Sequence, residues 1–405
     1  MKLLFITPQP PFPPKSGAAI RSANTILSLS RGHQITVFAL RRSESRQITP
    51  TIDLHNVVVR SFPVSPRGVK KRAVDFMTKK LPDLALRLCS PALACATQEL
   101  IERESIDIVQ IEGLESAASL ENVISRRDRP RIVYDAFNAE YQLQLRAFKT
   151  DLRNPSKSIA AFYSLAQWLR LASYERWLCS SVDAVTTVSE EDKNTILALS
   201  PGTKITVVPS GVDTNRYRPG QRDSNAGKNI LFTGTMDYRP NIDAMRWFHK
   251  EIFPAVVQQV PDAQLWIAGR DPIPAIRGLA GPNITVTGEI EDDLPYFQRA
   301  DVFVLPMRYG GGVRLKLLQA MACGLPIVST PHGLEGVRVS DEKDVLVADS
   351  HREFAARVVQ VLRTPQFAAS IGANARKTAD ERYSWQKVLE PLEGLYQSLL
   401  MEQAK

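Results

Sequence analysis

Short runs rich in β-branched residues alternate with longer segments of helical spacing along almost the whole chain. That alternation admits little besides parallel sheets flanked by helices. In the first half the strand candidates are Leu3–Thr7, Ile35–Leu40, Val57–Phe62, Asp107–Ile111, Arg131–Tyr134, Ala184–Val188 and Ile205–Val208, with a long helical stretch between Tyr141 and Ser180. After Pro209-Ser-Gly-Val-Asp213 comes a polar, turn-rich segment through Pro219, Gly220, Asp223, Ser224, Asn225 and Gly227, which predicts a linker. The pattern then restarts with Asn229–Thr233, Gln264–Ala268, Ile284–Thr287, Val302–Pro306 and Pro326–Ser329. A tail carrying Trp385, Leu389, Leu392, Leu395, Tyr396 and Leu399 has the spacing of an amphipathic helix. At 405 residues the chain is too long for one ordinary core. The expectation is an α/β fold of two Rossmann-like, doubly wound domains facing an interdomain cleft, with ligands beyond the carboxyl ends of the strands. Its boundaries are a first domain over 1–212, a linker over 213–227, a second domain over 228–379 and a C-terminal helix over 380–405 that packs back toward the first.

The net charge of +8 is unevenly placed. Residues 1–212 hold 28 Lys+Arg against 20 Asp+Glu, and the remainder holds 23 of each. The densest basic run spans residues 67–80, with Arg67, Lys70, Lys71, Arg72, Lys79 and Lys80 interleaved with Val69, Val74, Phe76 and Met77. On a helix this alternation suits an anionic membrane surface, and it equally suits a solvated face. Nucleic acid is not expected, because no RNP, zinc-finger or homeodomain pattern accompanies the charge. Cys89, Cys95, Cys179 and Cys323 have neither CxxC spacing nor nearby histidines, so they read as buried thiols of a reducing compartment, with no metal site. The start, Met1–Thr7, reads as a first strand and not as a secretory signal. A cytoplasmic protein is expected, peripheral to the inner face of the membrane if the basic run serves that purpose.

The chemistry concentrates between Val304 and Thr330. A strand ends at Pro306, Gly310-Gly-Gly312 follows, and a helix begins near Val313. Three glycines let a backbone approach a ligand with its N–H groups forward, and the following helix N-terminus favours an anion. Arg314 and Lys316 are expected in the first helical turn, where the dipole disfavours cations, so a bound diphosphate would explain them better than solvent does. Gln319 follows one turn beyond Leu315. No GxxxxGK[ST] loop occurs, and no GxGxxG follows the first strand, so this cradle is neither a P-loop nor a nicotinamide fingerprint.

These residues resemble the donor-site signature of the family 4 glycosyltransferases, E-G-F-G-x-x-x-L-E-A-M-A-x-G-x-P-V-V. The likeness extends to the proline-rich loop up to Gly17, Pro209-Ser-Gly-Val-Asp213, Phe232-Thr-Gly-Thr-Met-Asp-Tyr-Arg-Pro-Asn241, Trp266-Ile-Ala-Gly-Arg270, Thr287-Gly288 and Ala300-Asp301. Asp237-Tyr-x-Pro-Asn241 combined with Gly310-Gly-Gly-x-Arg-Leu-Lys316 resembles a bacterial subgroup associated with surface polysaccharide assembly. The resemblance implies a GT-B fold and a retaining transfer of a hexose-type sugar from a UDP- or GDP-sugar to a glycan or lipid-linked acceptor, with no obligatory cofactor or metal. Gly311, Gly312 and Val313 would offer N–H groups to the donor. Gly234 and Thr235 would form the turn after the first strand of the donor domain, Arg270 and Gly288 would border the base, and Gly17 would approach the phosphates. Arg314 and Lys316 would replace an arginine and a lysine that the family usually carries elsewhere.

Four positions depart from the family pattern. Gly311 and Gln319 stand where glutamates are usual, Ser210 replaces an asparagine, and Phe137 replaces a frequent histidine. Asp135 and Asn138 then become the nearest catalytic candidates, with Glu112 and Glu140 on the acceptor side. Capping of the helix near Tyr141 is the competing reading of Asp135, Asn138 and Glu140, and a solvated loop carboxylate that of Glu112. The losses also admit a catalytically silent GT-B protein that binds a nucleotide sugar or scaffolds a partner. A nicotinamide-dependent dehydrogenase lacks its fingerprint, and a GT-B epimerase or phosphorylase has no motif in its favour.

Overall fold

The structure is a computed structural model, described here for residues 1–14, 16–42, 56–152, 158–220, 228–310 and 314–403. The chain divides into two compact units, Met1–Pro209 with Leu389–Lys405, and Ser210–Val388.

In the first unit a seven-stranded sheet runs in the order β3-β2-β1-β4-β5-β6-β7. Its strands are β1 (Lys2–Thr7), β2 (Gln34–Arg42), β3 (Val57–Val64), β4 (Ile108–Glu112), β5 (Arg131–Ala136), β6 (Ala184–Thr187) and β7 (Ile205–Val207). All neighbours pair in parallel. The strands β1, β4, β5 and β6 are buried nearly end to end, because helices cover both faces of a parallel sheet. The helices that matter below are α1 (Gly17–Leu29), α2 (Val69–Thr78), α3 (Glu140–Leu152), α4 (Ser158–Ser181), α5 (Leu315–Ala322) and α6 (Trp385–Gln403). From Leu389 onward α6 belongs to the first unit, where Tyr396 is fully buried and its hydroxyl donates to Gln110 Oε1 on β4.

The second unit holds a six-stranded parallel sheet in the order β10-β9-β8-β11-β12-β13. These strands are β8 (Lys228–Thr233), β9 (Ala263–Ala268), β10 (Ile284–Gly288), β11 (Val302–Leu305), β12 (Ile327–Ser329) and β13 (Leu346–Val347). All twelve expected strands are present, and the edge strand β13 adds to them. The strand order reverses between β1 and β4 in one sheet and between β8 and β11 in the other. At such switch points the loops beyond the strands part and leave room for a ligand.

Two expectations need correction. Cys89 and Cys95 are exposed, and only Cys179 and Cys323 are buried. The helix after β11 begins at Leu315, so Arg314 is its extended N-cap and Lys316 alone of the pair lies in the first turn. No helix among the described residues is long and apolar enough to cross a membrane.

Candidate active site

In the second unit, β8 and β9 end in two glycines that let their turns touch. Gly234 has φ 152° and Gly269 has φ 143°. A Cβ on Gly269 would lie 1.9 Å from Gly234 O, and one on Gly234 would lie 2.6 Å from Asn241 Nδ2. Only glycine fits this approach. Met236 N–H donates to Arg270 O at 2.8 Å, so Gly234, Thr235 and Arg270 share one double turn, and Gly288 ends the next strand.

The helix α5 follows the other switch-point strand, β11. It buries Leu317, Leu318, Ala320, Met321 and Ala322 as one apolar face, which fixes the direction of its polar residues. Lys316 Nζ donates to Thr233 O at 2.7 Å and to Asn241 Oδ1 at 3.0 Å, and it lies 3.9 Å from the centroid of the Phe232 ring. Asn241 Nδ2 in turn donates to Thr235 O at 2.9 Å. Lys316 and Asn241 therefore brace the turn after β8 against the start of α5. Arg314 is 8% exposed, and a Cβ on Gly310 would meet its Nη2 at 3.0 Å. Neither cation merely points to bulk solvent. Burial pushes both groups below their usual range, Lys316 well below, and Arg314 lowers Lys316 further.

Gln319 engages a different group. Its Nε2 donates to Tyr217 Oη at 2.7 Å and lies 3.5 Å from Asp293 Oδ2, while Tyr217 Oη donates to Asp293 Oδ1 at 2.8 Å. Burial raises the Asp293 carboxyl. Gly311, Gly312 and Val313 lie outside the described residues.

In the first unit, Gly17 opens α1 behind Ser16, whose Oγ accepts from Ala19 N at 3.2 Å. The buried face of α1 carries Arg21 and Ser22 inward. Arg21 grips Asp135 with two parallel bonds of 2.9 and 3.0 Å, and donates to Val208 O and Pro209 O at 2.9 and 3.1 Å. Thr186 Oγ1 adds a third bond to Asp135, at 2.7 Å. Asp135 is 2% exposed, so its carboxylate is committed to these partners.

Glu112 ends β4 fully buried and is no solvated loop carboxylate. Ser22 Oγ donates to its Oε2, while Oε1 has no partner among the described residues. Burial first, then Asp135, pushes this carboxyl up to about 8. Asn138 Nδ2 lies 3.4 Å from Glu140 Oε1, and burial with Glu115 raises Glu140 to about 7. The cap of α3 is neither Asp135 nor Asn138. Glu175 of α4 accepts from Glu140 N and Tyr141 N at 3.2 and 2.9 Å, and is itself pushed up to about 8 by burial. The Phe137 ring packs beside Gly113, where a Cβ would meet it at 3.5 Å.

Gly234, Thr235, Arg270, Gly288, Arg314 and Lys316 thus gather at the carboxyl end of the second sheet. In the first, Glu112 and Asp135 share one buried network with Arg21, and Asn138 and Glu140 share another with Glu175. Arg21, Asn241 and Glu175 escaped sequence reasoning. A lone arginine on the inward face of α1 was the available signal for the first, and the Asp237-Tyr-x-Pro-Asn241 motif that for the second; Glu175 had none.

Comparison with known proteins identifies the family and the fold. The profile described as Glycosyltransferase Family 4 matches residues 28–216, and that described as Glycosyl transferases group 1 matches residues 227–364. The chain is 27% identical over 173 residues to an uncharacterized protein in the cps region of Klebsiella pneumoniae, covering 40% of this chain and 45% of that one. It is 31% identical over 265 residues to the putative glycosyltransferase YtcC of Bacillus subtilis, covering 56% and 62%. These two matches therefore span less than two thirds of either relative. A GDP-mannose-dependent monoacylated α-(1-6)-phosphatidylinositol monomannoside mannosyltransferase of Corynebacterium glutamicum is 24% identical over 383 residues, covering 84% of this chain and 97% of that one. Among solved structures, sucrose-phosphate synthase of Thermosynechococcus elongatus shares the fold with a TM-score of 0.72, 16% identity and coverage of 99% and 100%. The two profiles fall almost wholly on one unit each, and the chain belongs to the family 4 glycosyltransferases, enzymes of the GT-B type.

Proposed function

We propose that this enzyme is a retaining transferase that moves a hexose-type sugar from a UDP- or GDP-sugar to a glycan or lipid-linked acceptor, in polysaccharide or glycoconjugate synthesis, at the cytoplasmic face of the membrane. The observation that carries this reading is the Arg314–Lys316 pair at the ends of β8 and β11. Lys316 is held by neutral acceptors and repelled by Arg314. A diphosphate set against them relieves that repulsion and restores the charge-assisted bonding that burial weakened.

In this reading Arg314, Lys316, the N-terminus of α5 and the N–H groups of Gly311, Gly312 and Val313 hold the diphosphate, while Gly234, Thr235, Arg270 and Gly288 border the rest of the nucleotide. Gln319 reaches the ribose as a neutral amide. The same groups stabilise the charge that grows on the leaving diphosphate. The acceptor hydroxyl bonds to the anomeric carbon on the face from which the diphosphate departs, the sugar–phosphate bond breaks, and the hydroxyl proton passes to a diphosphate oxygen. No strongly basic side chain is needed, which accommodates Phe137. Asp135 acts through Arg21, holding the floor of the acceptor-side network together with the buried Glu112, and Asn138 and Glu140 contribute hydrogen bonds to hydroxyls. The phosphatidylinositol mannoside in the Corynebacterium relative's name supports a lipid-linked acceptor.

A thermal-shift panel of UDP- and GDP-sugars should give at least one clear rise in melting temperature, because a ligand that prefers the native state stabilises it. That donor should then be hydrolysed or transferred, and Arg314→Ala should weaken the nucleotide more than tenfold, about 1.4 kcal/mol. Unchanged affinity removes Arg314 from the site. Binding without turnover of any donor favours the silent, nucleotide-sugar-binding alternative, to which the internal engagement of Gln319 by Tyr217 and Asp293 lends support.

A further inference from the structure

Among the described residues, helix α2 is held to the first unit along two adjoining edges. Arg67 pairs with Asp75 at 3.0 Å and with Asp83 at 2.7 Å, Arg72 pairs with Asp83 at 3.0 Å, and Lys79 lies 3.6 Å from Asp75. On the adjoining edge Phe76 packs under Arg170 of α4, 4.5 Å from the ring centroid, and beside Tyr163. Asp75 is the sole buried residue of the helix. At 100° per residue, Val69, Ala73, Met77 and Val74 then sweep one arc of roughly 140° that starts beside Phe76 and turns away from Asp75, with Lys70 inside it and Lys71 about 60° beyond its far end.

This arc is unusually apolar for a surface. Val69 is 82% exposed, Val74 57% and Met77 85%. On α4, Phe162 and Leu169 are 69% and 56% exposed, two turns apart, each one residue before a side chain that touches Phe76. These five account for most of the nine large hydrophobic residues left exposed among the described residues. Lys70 lies within the arc, Lys71 and Lys80 are exposed on the same segment, and none of the three forms an ion pair among the described residues, in contrast to Arg67, Arg72 and Lys79.

We propose that this face, α2 with the exposed edge of α4, docks on an anionic lipid bilayer, with Val69, Val74, Met77 and Phe162 entering the acyl boundary and Lys70, Lys71 and Lys80 meeting the headgroup phosphates. The inference deepens the membrane part of the proposed function and rests on that part alone. Charge complementarity selects the occupant. A second copy placed on the patch by two-fold symmetry would set Lys70 and Lys71 against their own equivalents, and a nucleic acid would have no use for an exposed valine and methionine stripe. Apolar burial and attraction to anionic headgroups add for a bilayer.

The full chain should sediment with phosphatidylglycerol/phosphatidylcholine vesicles and far less with phosphatidylcholine alone. The double variants Lys70→Glu/Lys71→Glu and Val74→Ser/Met77→Ser should each lower the partition coefficient at least tenfold. Lys250→Glu, at a side chain 81% exposed in the second unit, should change nothing. A Met77→Trp variant should show blue-shifted emission on addition of anionic vesicles. The proposal is overturned if the wild type fails to sediment, if the double variants sediment equally well, if the tryptophan emission does not shift, or if Met77 instead governs dimerisation or RNA binding. Donor hydrolysis measured without vesicles reports separately on the catalytic reading, so the two can fail independently.

Discussion

At the carboxyl ends of β4 and β5 the first unit sets Glu112 and Asp135 against Arg21, with Glu140 and Glu175 just beyond, whereas at the ends of β8 and β11 the second unit sets Lys316 on a carbonyl and an amide oxygen, with the buried Arg314 beside it. The sheets are alike in topology and opposite in charge. In the first, burial raises Glu112 and Glu175 to about 8 and Glu140 to about 7, leaving carboxyls that are substantially protonated near neutrality. Such groups donate as well as accept hydrogen bonds; Glu112 and Glu175 are fully buried and use that capacity inside the unit. In the second, burial lowers two cations, and the proposed diphosphate would restore them. The same strand–helix geometry therefore carries unlike side chains, and function resides in the side chains grafted onto a fold.

The comparison breaks first at Arg21. Its pairing with Asp135 is buried and bidentate, so Arg21→Leu leaves a carboxylate without its partner and should cost about 3–5 kcal/mol in urea unfolding. The double variant Arg21→Leu/Asp135→Leu should recover much of that loss. A single-variant cost well below 1 kcal/mol would mean that water or relaxation already compensates Asp135.

A smaller effect sharpens the carboxyl side. The Glu112 carboxyl titrates at about 8 when folded, against 4.5 ordinarily, so between these values the native state binds more protons than the unfolded one. Its contribution is fully present below the unfolded value and is lost as pH rises through the folded one. Glu112→Gln, which mimics the protonated form, should leave the melting temperature nearly unchanged at about pH 5 and raise stability by about 1–3 kcal/mol at about pH 9. Equal melting curves for the two proteins at alkaline pH would place Glu112 in contact with water.

Much of this arrangement was legible from residue order. Twelve strands announced themselves by β-branched runs between turn residues, while β13, two residues long, is too short to show a period. Gly234, Arg270 and Gly288 were singled out because each sits at or just past the end of a strand, and the end of a parallel strand is a position that sequence marks well. Partnership was harder to read. Arg21 and Asp135 are 114 residues apart, Gln319 and Tyr217 are 102 apart, and no local pattern predicts that they bond. Exposure failed for a related reason. Cys89 lies in the loop before the helix Pro91–Arg103 and Cys95 on that helix, and what covers either is decided by neighbours remote in sequence.

The central claim is that Lys316 and Arg314 await a diphosphate. Calorimetric titration of the protein with UDP and with GDP, in two buffers of different ionisation enthalpy, tests it directly. A lysine depressed in the free enzyme and restored by an anion takes up protons on binding, so affinity should fall as pH rises through the alkaline range, and Lys316→Met should abolish both the uptake and the pH dependence. Binding with no proton uptake, and with the same affinity in Lys316→Met as in the wild type, would contradict the claim.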